Sequence, residues 1–170
     1  MWKFDWTDAM SVAVEELDED HKRTVRLMNL IGAAAASGDF TSVDTLADLM
    51  IADLDRHFRR EERVLRKYAY PRLTKHAAGH AEAIHLARTF RELAARHNVV
   101  DIMQRLDDMR LFFVERLIIE DLDYKWFFLD NRIVPELDDH QVRIVEDEMI
   151  RLTDPFSGSC LPWCRRPAGY

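Results

Sequence analysis

Two histidine-bearing pairs stand at helical spacing in this chain, His57-x-x-x-Glu61 and His76-x-x-x-His80, with His21 upstream of them and Asp121 downstream. An α-helix turns by about 100° per residue, so side chains at i and i+4 project from nearly one face and can close on a single ion together. Each pair is a two-point clamp. Neutral imidazole nitrogens mixed with carboxylate oxygens suit iron, manganese or zinc, whereas calcium asks for oxygen alone and copper(I) favours sulfur. Taken singly, His57 or His76 reads equally well as a partly exposed helix residue. Six such residues in register read as a metal cage.

A cage of this kind needs long helices to hold it. Apolar residues at Val43, Leu46, Leu49, Met50 and Leu54 repeat at the helical period, and comparable patterns predict four helices: residues 19–37, ended by Gly38 and Asp39; from Thr41 or Ser42 to about 68; 73–97, opened by Pro71; and 100–131. Two of the five glycines and three of the five prolines fall after residue 150, so the chain before that is little interrupted. Four long amphipathic segments on short connectors predict an all-α fold, an up-down-up-down four-helix bundle over residues 1–134. A short aromatic arm at residues 2–6 precedes it. Residues 135–170 form an extension, with a helix from Pro135 to about 152 followed by a flexible tail.

Composition sets the outer limits. A chain of 170 residues with 48% hydrophobic content can bury a sizeable core. A net charge of −7 opposes a nucleic-acid backbone as partner, since phosphate binding needs a basic surface. No apolar run reaches the roughly 20 residues that span a bilayer, and no basic start with an apolar run and cleavage site marks a secretory leader. A soluble, cytoplasmic protein is the expectation. Cys160 and Cys164 lie together in the tail rather than bracing the core, which suits a reducing compartment.

The stretch from Trp6 to His21, with His57-Phe-Arg-Arg-Glu61-Glu62, Tyr70-Pro71, His76-Ala-Ala-Gly79-His80 and Asp121-Leu-Asp-Tyr124, resembles the bacterial hemerythrins over roughly residues 1–132. The resemblance implies a four-helix bundle around a non-heme di-iron centre that binds dioxygen, or a related small ligand such as peroxide or nitric oxide, for carriage, storage or sensing. It implies further that His21 and His57 bind one iron, His76 and His80 the other, and that Glu61 and Asp121 bridge the two.

One position departs from the family pattern. Where a histidine is expected five residues before the helix-four aspartate, this chain has Arg116. A guanidinium stays protonated at ordinary pH and has no lone pair to give, so Arg116 is no ligand and one iron lacks a nitrogen donor. On a regular helix Glu120 lies about 40° from Arg116 and between the two family ligand positions, which makes it a candidate replacement. Three outcomes stay open: Glu120 as a ligand, Glu120 in a plain i,i+4 ion pair with Arg116, or an open, water-filled position. The altered set shifts weight from oxygen carrier toward a redox enzyme, a peroxidase or oxidase, or toward a metal- or oxygen-responsive regulatory module. Loss of metal altogether, because one weakened iron fails to load, is a further outcome.

The remaining features read more plainly. Phe112, Phe113, Leu117 and Tyr124 are expected on the inner face of the fourth helix, with Phe112 or Leu117 also able to shape a gas pocket. His85, one turn and a residue beyond His80, reads as a surface group or a support for the ligands rather than a ligand, and His97 and His140 have no partner in register. Trp2, Phe4 and Trp6 are expected to lay the arm over the bundle. Cys160 and Cys164 lack the second ligand pair a zinc site needs; a flexible tail, a redox-active pair or a docking peptide for a protein partner built on Trp163 are the readings they leave.

Overall fold

A computed structural model describes residues 2–137 of the chain. After a short 3-10 turn at Asp8–Met10, the helices are α1 (Glu15–Ser37), α2 (Phe40–Lys67), α3 (Leu73–Ala94) and α4 (Val99–Arg116), which passes through a π turn (Leu117–Asp121) into α5 (Leu122–Asp130). Helix α1 packs on α2, α2 on α3, α3 on α4, and α4 returns to α1, so four rods close a ring around one core. The fourth rod is α4, the π turn and α5 end to end. No strand occurs among the described residues, and no helix there is long and apolar enough to cross a membrane.

The helix ends follow from local chemistry. Asp39 caps α2, accepting from the Ser42 amide at 3.1 Å, and Asn98 caps α4, accepting from the amides of Val100 and Asp101. Gly38 closes α1 at φ 77°, a left-handed conformation in which the Asp39 amide reaches the Ala34 carbonyl. Two ends differ from the sequence expectation. Helix α1 starts at Glu15 rather than near residue 19, because the Asp18 carboxylate reaches back to the Val12 amide and the Ser11 hydroxyl and fixes the entry one turn earlier. Helix α3 stops at Ala94 rather than 97, because His97 adopts φ 55° and donates its amide to the Ala94 carbonyl.

The core runs the length of the ring, with Leu27, Ile31, Met50, Leu65, Phe90 and Ile102 fully enclosed. The N-terminal arm seals one side of it. Phe4 exchanges backbone hydrogen bonds with the Asn29 side chain, the Trp2 indole donates to Asp107, and Trp6 stacks on His21 with ring centres 6.1 Å apart. At the other end Pro135 and Glu136 are not helical, and the rest of the expected extension helix, with His140, Cys160, Trp163 and Cys164, lies outside the described residues.

Candidate metal centre

Six residues from four elements converge inside the bundle, toward the end where α1 and α3 begin. His21 comes from α1, His57 and Glu61 from successive turns of α2, His76 and His80 from successive turns of α3, and Asp121 from the π turn. All six are buried, Glu61 completely. Their ligand atoms form two triads, His21–His57–Glu61 and Glu61–His76–His80, each with its atoms within 4.8 Å of one another, and Glu61 belongs to both. Its Oε2 meets His76 Nε2 at 2.9 Å and His80 Nε2 at 2.8 Å. Across the cluster, Asp121 turns one oxygen to His21 Nε2 at 3.6 Å and the other to His76 Nε2 at 3.8 Å. Two carboxylates thus stand between two groups of imidazoles.

Asp121 reaches the cluster because of the π turn. In a regular helix Arg116 and Asp121 lie about 140° apart and cannot share a face. Between them the helix unwinds by one residue per turn: the Leu122 amide donates to the Leu117 carbonyl, an i→i+5 bond, and this wider turn brings positions 116 and 121 to one side. Both line the same cavity. The same turn carries Glu120 away from it. Its carboxylate faces Lys75 Nζ at 3.3 Å and Arg116 Nη1 at 3.8 Å, and Glu120 belongs to neither triad. The wheel that set Glu120 between the ligand positions assumed regular pitch, and the pitch is not regular there.

The charges of the cluster are tightly coupled. Burial works to raise Glu61, but hydrogen bonds from His76 and His80 overcome it and hold the carboxylate well below its usual range. Asp121 goes the other way: burial, then the negative charge of Glu61, push it up to about 8. Burial and the neighbouring His57 drive His21 down to about 3. His80 is raised in spite of its burial, because Glu61 and Glu62 both stabilise its proton. Protons therefore do in this cluster the neutralising work that a cation would do. Glu61 Oε1 is buried with no hydrogen-bond partner among the described residues. That orphaned oxygen, on a carboxylate shared by two triads and faced by imidazole Nε2 atoms, makes a donor set that fits a pair of bound cations.

Sequence reasoning missed the residues that aim the imidazoles. His57 Nδ1 lies 3.3 Å from Asp20, which is also held by Arg60 at 2.6 Å and by Arg23. His80 Nδ1 lies 2.9 Å from Glu62. A carboxylate on Nδ1 fixes the tautomer, leaves Nε2 free to bind, and makes the ring a stronger donor. The signal was present, since Asp20 precedes His21 and Glu62 follows Glu61, but neither spacing nor period marks them out. Replacing Glu62 by alanine is expected to weaken metal binding about 10- to 100-fold, measured by competition with a chromophoric chelator. Asp55→Ala, which removes only a surface partner of Arg59, should leave it unchanged; equal affinities in both variants would remove Glu62 from this role.

Above the cluster opens a cavity of about 40 Å³, large enough for a few atoms. His21, His57, His80 and Asp121 form its floor; Phe112, Phe113, Leu117 and Met28 supply apolar walls. Phe112 and Leu117 thus do line a pocket as well as pack. Tyr124 lies fully buried behind, edge-on to His76 at 5.6 Å, and burial with the charges of Glu61 and Asp121 keeps its hydroxyl protonated.

In comparison with known families, the model of the hemerythrin HHE cation-binding domain matches residues 12–125. No curated protein matches the chain.

Proposed function

The chain belongs to the hemerythrin HHE cation-binding domain family, and from that premise we propose that its buried cluster holds two non-heme irons and binds dioxygen or a related small ligand. The observation that carries the proposal is the pair of triads sharing Glu61. His21 and His57 would serve one iron, His76 and His80 the other, with Glu61 and Asp121 bridging. Bound iron would supply the electrons that dioxygen takes up and returns.

The chain's own residues prepare the rest. Asp20 and Glu62 orient His57 and His80. The aromatic walls and the arm through Trp6 restrict water, which suits an apolar diatomic ligand. Tyr124 holds a proton beside Glu61.

Arg116 favours a second reading, a peroxidase or oxidase. A position that offers no ligand atom leaves one iron with a coordination place to exchange, and turnover needs such a place. The test for both is the metal content and visible spectrum of the purified chain. Two irons per chain, with a spectrum that changes reversibly between air and deoxygenated buffer, is the expected result. Irreversible oxidation together with consumption of peroxide and a reducing substrate would transfer the assignment to the enzyme; one zinc and no iron would end both.

A further inference from the structure

Arg116 is seated rather than merely tolerated. Its guanidinium lies in a hollow of α3 that exists because residue 79 is glycine: a Cβ there would fall 1.6 Å from Nη1 and 2.0 Å from Cζ, so any other residue would make the guanidinium move from this seat. Gly79 stands between His76 and His80, and Nη2 donates to the His76 carbonyl at 3.2 Å. The fork is thus pinned flush against the turn that carries two of the cluster's imidazoles. It lines the cavity together with His21, His57, His80 and Asp121.

The charge it brings is not cancelled locally. Glu120 is its nearest carboxylate partner at 3.8 Å, but Lys75 lies closer to that same oxygen at 3.3 Å, so one anion faces two cations. A guanidinium has five donors, and among the described residues only one hydrogen bond from it is made. What results is a fixed cation with spare donors, on the wall of a small cavity with otherwise apolar sides.

We propose that Arg116 is a specificity-determining residue that turns the cavity toward small monoanions, of the size of azide, nitrite or hydroperoxide, while leaving its affinity for neutral diatomics nearly unchanged. The inference rests on the metal-centre reading and specifies its ligand. A charge-assisted hydrogen bond from a planar fork strengthens binding of an anion and does nothing comparable for a neutral diatomic. Arginine is suited to the task because it cannot lose its proton and cannot compete for the metal.

The test uses the iron-loaded full chain, with iron per chain measured first. Azide is titrated into the air-oxidised protein and nitric oxide into the reduced protein. Arg116→Gln should weaken azide by about tenfold or more and leave nitric oxide within about twofold. Arg116→Lys keeps the charge without the fork and should fall between. Gly79→Ala keeps the arginine but fills its seat, and should behave like Arg116→Gln. Unchanged azide affinity in iron-loaded Arg116→Gln would overturn the proposal; should that variant lose its iron, unchanged azide affinity in Gly79→Ala and Arg116→Lys would do so instead. A wild-type chain without iron defeats the metal-centre reading first, and the elemental analysis shows which of the two has failed.

Discussion

Glu61→Gln is expected to empty the centre, taking iron from two per chain to nearly none. Its Oε2 meets His76 and His80, its Oε1 is buried with no hydrogen-bond partner among the described residues, and the carboxylate belongs to the His21–His57 triad as well. A shared carboxylate is a donor to both ions at once, so its loss weakens both sites rather than one. Glutamine keeps the volume, which separates the loss of a ligand from the loss of packing that alanine would cause. Its neutral amide is a poor metal donor, and its NH2 would be aimed at imidazole nitrogens that should face the metal. Elemental analysis with a thermal melt checks the outcome. A folded variant still holding two irons would show that Glu61 does not bridge.

The second large effect is on stability, and its sign depends on pH. A cluster of four imidazoles and two carboxylates is costly to bury unless something neutralises it, and a cation bound only to the folded state adds about 4 kcal/mol when present at a thousand times its dissociation constant. For a domain of this size that is on the order of 10 °C in melting temperature. In the metal-free protein, Asp121 is raised from 3.8 to about 8 and His80 is raised above 6.5. Both groups bind protons more tightly in the folded chain, so the stability they lend is complete below their unfolded pKa values and is lost as pH rises through the folded ones. His21, lowered from 6.5 to about 3, acts oppositely, but its contribution stops changing above 6.5. Between pH 6.5 and 8 only the falling contributions of Asp121 and His80 remain. Chelated protein should therefore melt progressively lower across that window while loaded protein, whose ligands have already shed their protons, holds steady. A gap that does not widen from pH 6.5 to 8 would contradict this account, and equal melting temperatures with and without chelator would contradict a buried cage altogether.

What could be read from the chain, and what could not, divides along the regularity of the backbone. His57 with Glu61 and His76 with His80 were legible because i,i+4 holds wherever a helix keeps its pitch, and the four-rod bundle followed from the same period. For Glu120 the wheel assumed regular pitch through residues 117–121, where the pitch changes, and its carboxylate stands with Lys75 and Arg116. Nothing in Leu-Ile-Ile-Glu-Asp announces a π turn. Asp20, Glu62 and Gly79 were not marked out by spacing or period for another reason: each acts on a residue of a neighbouring helix, and such partnerships exist only after the rods have packed. The helix ends erred by about one turn where a side chain such as Asp18, or a left-handed residue such as His97, overrode the apolar pattern.

The π turn also bears on how such a site changes over generations. It is one residue more than an unbroken helix needs, and a chain shorter by one there would run straight and lose the shared face of positions 116 and 121. Side-chain identity at 116 is thereby uncoupled from its address. Whichever residue is written at that position is delivered to the cavity by the backbone, so a few base changes can exchange a ligand for a cation, or the reverse, without rebuilding the bundle. An insertion or deletion anywhere from 117 to 120 has no such freedom, because it would redirect Asp121 along with everything after it. Variation in this segment is therefore expected as substitution at constant length.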